Sequence, residues 1–188
     1  MSMKLNVIIV STRPGRIGKP IGDWFFEYAK ENPSGFDEVI LTDLAELNLP
    51  LYNEPKHPRM QQYKHDHTKK WSSIVRDSDA FVFVLPEYNF TAPPSYFNAL
   101  DYLVMEWAYK PAGFVSYGGI SGGLRATQSA KPILTTLKVM PMIEQVAMPM
   151  VFQHLVNGKL EPTMPMIESA DALLPELARW AGALKTLR

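Results

Sequence analysis

The chain has 188 residues, 46% hydrophobic and 20% charged, with 19 Lys and Arg against 19 Asp and Glu and no cysteine. That composition is too apolar for disorder, and the length suits one domain over residues 1–188. The zero net charge argues against a chain-wide basic footprint for nucleic acid, and the lack of cysteine excludes disulfides, thiolate metal sites and a cysteine nucleophile.

The start, Met1-Ser2-Met3-Lys4, leads into too short an apolar stretch for a signal peptide or a membrane span, so a cytoplasmic protein is expected. Residues 5–10 form a β-branched apolar run broken only by Asn6, the pattern of a buried parallel strand. A helix is expected over 19–30, with Ile21, Phe25 and Ala29 stacked at i+4 and a stop at Pro33-Ser34-Gly35. Residues 36–41 read as a weaker strand, and 48–58, with Pro50, Pro55 and Pro58, as an irregular surface loop. A polar helix follows over 60–76, carrying Tyr63, Trp71, Ile74 and Val75. The strongest strand is 80–85, six apolar residues closed by Pro86. Pro93-Pro94 then introduces a helix over 95–106. A fourth strand covers 112–117 and ends in Gly118-Gly119. Gly122-Gly123 opens a helix to about 139, and 145–148 supplies a short fifth strand. Asn157-Gly158 marks a small hairpin. The last amphipathic helix spans 170–187, interrupted by Pro175 or starting near it.

This alternation predicts an α/β fold with a doubly wound, five-stranded parallel sheet. Five strands in fewer than 190 residues fit the order 2-1-3-4-5 better than a two-half dinucleotide fold. In open sheets of this kind ligands bind outside the carboxyl ends of the strands, which selects three loops. The first, Ser11-Thr12-Arg13-Pro14-Gly15-Arg16-Ile17-Gly18-Lys19, combines hydroxyls, cations and glycines ahead of a helix N-terminus, and no acid occurs before Asp23. Backbone N–H groups, the helix dipole and forked guanidinium donors make it a phosphate cradle, or else a solvated helix start. It lacks the Gly-Lys-Ser/Thr ending of a Walker loop and is not G-x-G-x-x-G. The second loop, residues 86–94, places Tyr88, Asn89 and rigid prolines at the mouth of the central strand. It could present backbone groups to the polar edge of a flat heterocycle, with Tyr88 against one ring face, or simply cap the core. The third, residues 116–123, holds four glycines in six residues, which permits close backbone approach to a ligand. A phosphorylated aromatic cofactor fits all three, and FMN is the simplest.

The same residues carry a resemblance. Ser11-Thr12-Arg13-Pro14-Gly15-Arg16-Ile17-Gly18 after the first strand, Leu85-Pro86-Glu87-Tyr88-Asn89, Asn98-Ala99-Leu100-Asp101-Tyr102 and Tyr117-Gly118-Gly119 resemble the NADPH-dependent FMN reductase family, over about residues 3–150. That family comprises quinone, azo-dye and chromate reductases on a flavodoxin-like fold. The resemblance implies FMN phosphate at Ser11, Arg13, Arg16, Ile17 and Gly18. It implies isoalloxazine at Pro86, Glu87, Tyr88 and Asn89, with Tyr117, Gly118 and Gly119 beside the ring. Thr91-Ala92-Pro93-Pro94-Ser95 replaces the family's commoner single-proline, glycine-containing turn, and Val10 its usual small residue before Ser11. The implied activity is ping-pong hydride transfer from NADPH through FMN to a quinone-like or other small acceptor. No side chain need then act as acid or base, because the flavin carries the chemistry. A homodimer or homotetramer is expected to complete the pocket.

Other constellations are weaker. His57, His65 and His67 lie near Glu54 and Asp66, but His65 and His67 at i,i+2 cannot share a helix face, and lysines surround them. Gly119-Ile120-Ser121-Gly122-Gly123 satisfies the spacing of a serine nucleophile elbow, yet the only histidine after it is His154, with Glu144 the lone acid between them. Trp24, Trp107 and Trp180 are candidate interface residues. A flavodoxin-type electron carrier, or a flavin-binding module without turnover, is the alternative. Carriers of that type are usually strongly acidic, which this chain is not.

Overall fold

The apolar runs following Lys4, Asp79 and Lys110 become the three central strands in the computed structural model, which describes residues 2–188. Strands β1 (Lys4–Ile9), β2 (Glu38–Asp43), β3 (Ala80–Pro86) and β4 (Lys110–Tyr117) pair in parallel in the order β2-β1-β3-β4. The fifth position is shared by two short strands. β5 (Val139–Pro141) pairs with residues 110–112 of β4, and β6 (Val146–Met148) with residues 115–117. The order is therefore 2-1-3-4-5, as expected, with an interrupted edge strand.

Helices cover both faces. α1 (Gly18–Glu31) and α6 (Met164–Lys185) pack on one; α3 (Asp66–Arg76), α4 (Pro94–Asp101) and α5 (Leu124–Thr136) pack on the other, where the short α2 (Leu44–Leu47) joins them. A two-stranded hairpin, β7 (Leu155–Val156) with β8 (Lys159–Leu160), turns at Asn157-Gly158. The period of two in β3 sorts its side chains by size. Ala80, Val82 and Val84 join the core under α1 and α6, while Phe81, Phe83 and Leu85 join the core under α3, α4 and α5. The small-residue face lets α1 approach closely: a Cβ on Gly22 would lie 2.4 Å from Ile9 Cγ1.

Several boundaries differ from the sequence reading, each for a local reason. α5 stops at Thr136 rather than near 139, because Lys138 turns left-handed at φ 58° and delivers Val139 to the sheet. α6 starts at Met164, six residues before the expected position, and carries Pro175 inside it, so its packed apolar face outweighs one missing backbone donor. Residues 58–60 form an isolated 3-10 turn, which delays α3 to Asp66, and α4 ends at Asp101 before a second 3-10 turn, Met105–Trp107. That turn corrects the reading of Trp107. Its indole is fully buried, 4.9 Å from the Phe81 ring and 5.6 Å from Trp71, so it serves the core and no interface. At the amino end of the sheet, buried Lys110 donates to the carbonyls of Val75 (2.7 Å) and Arg76 (2.9 Å). Those bonds tie the last turn of α3 to β4. Burial lowers its ammonium to about 7.

Candidate functional site

At the carboxyl end of the sheet the three loops converge. After Val10 the first loop closes a β-turn, in which Arg16 N–H donates to Arg13 O at 3.2 Å. Pro14 and Gly15 occupy its centre, and Gly15 takes φ 69°, the type II pattern that Pro-Gly favours. The turn leads into α1, whose N-cap, Ile17, offers no side-chain acceptor and whose first turn contains no acid. The helix therefore presents N–H groups and a positive dipole end to this loop. Gly18 is small for a steric reason. A Cβ there would lie 2.5 Å from the Tyr117 hydroxyl, so glycine lets Tyr117 reach across from β4 beneath the first loop. Burial raises the Tyr117 phenol well above its ordinary value, so it stays a neutral hydroxyl.

The second loop is a two-residue hairpin. Tyr88 and Thr91 exchange backbone hydrogen bonds of 3.0 Å in both directions, and Asn89 and Phe90 between them are both left-handed, at φ 51° and 67°. That is the type I′ arrangement, achieved here without glycine. The Tyr88 hydroxyl lies 2.8 Å from Ser11 Oγ, and the Arg13 guanidinium carbon lies 6.0 Å from the centre of the Tyr88 ring. Loops one and two thus meet through Tyr88.

Loops two and three meet through Glu87. Its side chain, 9% exposed, accepts from the Ser121 hydroxyl (2.7 Å), the Arg125 backbone N–H (3.2 Å) and the Arg125 guanidinium (3.2 Å). Burial pushes that carboxyl upward, but Ser121 and Arg125 together outweigh burial and hold it below the usual carboxylate range. The Ser121 hydroxyl is engaged on this carboxylate, so the glycine–serine spacing around it folds a loop. Among the glycines, Gly118 sits close under Gly123, whereas a Cβ on Gly119 would meet nothing within 4 Å. Gly119 leaves open space at the edge of the site.

A cavity of about 210 Å³ collects Ser11, Arg13, Arg16 and Ile17 from the first loop, Pro86, Glu87 and Tyr88 from the second, and Tyr117 and Gly118 from the third. Three of the residues singled out from the sequence fall outside its lining. Gly18 packs against Tyr117, Gly119 faces open space, and Asn89 lines an adjoining groove of about 730 Å³ with Leu51, Tyr52, Tyr88 and Phe97. Val151 and Phe152, just after β6, complete the cavity and carried no sequence signal. Asp43 was also missed. It forms an ion pair with Arg16 and N-caps α2, accepting from Ala45 N–H at 3.0 Å. The Asp43-Leu44-Ala45-Glu46 spacing is a capping-box signature that marks it. Burial raises the Asp43 carboxyl, although Arg16 beside it acts the other way. Asn98 and Tyr102 work at a distance from the cavity. Asn98 bonds Pro50 O (2.7 Å) and Tyr52 N–H (2.9 Å), and the Tyr102 hydroxyl donates to Pro50 O (3.1 Å), pinning the 50–52 loop that walls the groove.

The remaining candidates take other roles. His65 and His67 stack at 5.1 Å, and His67 Nε2 lies 3.2 Å from Asn53 Oδ1. No group of three or more His, Cys, Asp or Glu is arranged around a metal position among the described residues. No helix there is long and apolar enough to cross a membrane.

An uncapped helix N-terminus, the exposed guanidinium of Arg13, which forms no ion pair among the described residues, and a hydroxyl at Ser11 are the donor set for a phosphate. Open space beside Gly119 and a rigid hairpin suit a flat ring. The residues present fit FMN. Comparison with known proteins agrees. The family model described as NADPH-dependent FMN reductase matches residues 3–153. An NAD(P)H-dependent FMN reductase of Schizosaccharomyces pombe is 37% identical over 164 residues, covering 86% of this chain and 80% of the relative. A second, from Nectria sp, is 31% identical over 150 residues, covering 78% of this chain and 75% of its own. The fold is shared with FerB, a flavoenzyme NAD(P)H:(acceptor) oxidoreductase of Paracoccus denitrificans, at a TM-score of 0.76 and 17% identity, over 96% of this chain and 98% of that one. With a family match across four-fifths of its length and relatives above 30% identity, the chain belongs to the NADPH-dependent FMN reductase family.

Proposed function

We propose that this flavin-dependent NAD(P)H oxidoreductase takes NADPH and a quinone-like acceptor in turn at one site, in a ping-pong sequence. The observation that carries the reading is the convergence of Arg13, Ser11 and Tyr88 on the uncapped start of α1, opposite the open edge at Gly119. Bound FMN supplies the hydride chemistry. The protein supplies binding and orientation. Arg13 and Ser11 hold the phosphate with the N–H groups of α1, and Arg16, steadied by Asp43, adds positive charge beside them. Pro86 to Asn89 form the platform for the ring edge, with Gly118 beside it, Gly119 leaves its other side open, and Ile17 and Tyr117 exclude water from beneath.

One open side favours alternating occupancy over a ternary complex. Quinone reductases of Pseudomonas putida and a 2-hydroxy-1,4-benzoquinone reductase of Burkholderia sp are among the relatives, which supports a small quinone-like acceptor here. Phe90, Ile120 and Phe152 are exposed around the site, an apolar rim suited to a second copy of the chain in a homodimer or homotetramer. Steady-state oxidation of NADPH with 1,4-benzoquinone, both varied, is expected to give parallel double-reciprocal lines. Intersecting lines would replace alternation with a ternary complex. No NADPH oxidation at full FMN occupancy would favour the electron-carrier alternative.

A further inference from the structure

The left-handed pair at Asn89 and Phe90 is costly. Each non-glycine residue held there is strained, and asparagine tolerates it better than phenylalanine. A strained turn persists only where its surroundings over-determine it. The restraint comes from one face of α5. Ser129 accepts at Oγ from Ala92 N–H (3.1 Å) and from Thr91 Oγ1 (3.0 Å), and donates to Ala126 O (2.8 Å), so its hydroxyl is fully used. One helical turn earlier, Arg125 lays its guanidinium 4.2 Å from the centre of the Phe90 ring while holding Glu87. Phe90 is 68% exposed, so core packing does not fix it.

We infer that Arg125 and Ser129 are positioning residues, a two-point clamp on α5 that holds the Tyr88–Thr91 turn in its left-handed form and so sets the backbone of Glu87, Tyr88 and Asn89 that faces the flavin ring. The inference rests on the proposed placement of the ring at that loop. Without the clamp the turn relaxes, the binding-competent loop becomes a minority state, and apparent affinity falls by the same fraction.

The test uses the full chain and two readouts. In the first, FMN fluorescence quenching, Ser129→Ala weakens FMN binding about tenfold, while Ser129→Thr, which keeps the hydroxyl, stays near the parent value. Adding Phe90→Gly to Ser129→Ala gives the turn the Asn-Gly sequence that type I′ turns favour and restores affinity to within about threefold of the parent. A general loosening of α5 would not be rescued by a change in the turn. In the second readout, amide hydrogen exchange without FMN, Thr91 N–H exchanges faster in Ser129→Ala and slows again in the double variant. Should Ser129→Ala not fold, Arg125→Lys is read the same way, since it keeps a charge for Glu87 but loses the flat stack on Phe90. Unchanged affinity and exchange in the single variants, or no rescue by Phe90→Gly, overturns the clamp. A parent chain that binds no FMN overturns the functional reading instead, and the exchange measurement still decides the clamp.

Discussion

Replacing Arg13 with alanine is expected to weaken FMN binding by about 10- to 100-fold while leaving riboflavin binding and the melting temperature almost unchanged. A hydrogen bond to a charged group contributes about 1.5–3 kcal/mol, and a guanidinium forked on phosphate forms two in a matched geometry. Arg13 is exposed and forms no ion pair among the described residues, so removing it strands no buried charge. Arg16 offers the contrast. Arg16→Ala would leave the buried Asp43 carboxylate without its partner, so its loss mixes stability with affinity. Riboflavin lacks the phosphate, which makes it the internal control. Fluorescence titration of both ligands checks the prediction, and equal losses for FMN and riboflavin would remove Arg13 from the phosphate site.

Gly123→Ala is expected to cost about 2–5 kcal/mol of stability and to abolish flavin binding. Two penalties add. Gly123 takes φ 83°, which L-residues adopt at a cost of about 1–2 kcal/mol. Its Cβ would also lie 2.6 Å from Tyr117 N and 2.8 Å from Ser116 Cβ, against the end of β4 where little can move. The third loop would lift off the strand, taking with it the Ser121 and Arg125 contacts to Glu87 that join it to the second. Gly119→Ala, whose added methyl meets nothing within 4 Å, should leave stability within about 0.5 kcal/mol. Urea denaturation of the two variants checks the contrast, and equal midpoints would show that the loop's packing is misread.

The central strands were legible in the sequence because burial on both faces leaves little but apolar residues, as in 80–85. The edge was less so. Met140 is over a third exposed in β5, and Ile143, between the two short strands, is exposed, so hydrophobic pattern alone could not separate β5 from the end of α5. Trp107 shows a related gap, since a short 3-10 turn has no periodicity to say which way an indole points. For the site, the loops stood out because a chain needs few cations and glycines merely to leave a strand and start a helix. What each residue does there was not legible. The Glu87 side chain also joins two loops, and Gly18 also makes room for Tyr117. These roles depend on partners 34 or more positions away, and no local spacing encodes them. Ser129 sits inside an ordinary amphipathic helix, and no local pattern marks its hydroxyl as the partner of a left-handed turn more than 30 positions away.

The measurement that bears most directly on the account is an anaerobic visible spectrum of the chain reconstituted with FMN, before and after NADPH. The account predicts stoichiometric flavin bands that bleach on NADPH addition and return when 1,4-benzoquinone is added. Flavin that binds but does not bleach, or no flavin bound at all, would contradict it.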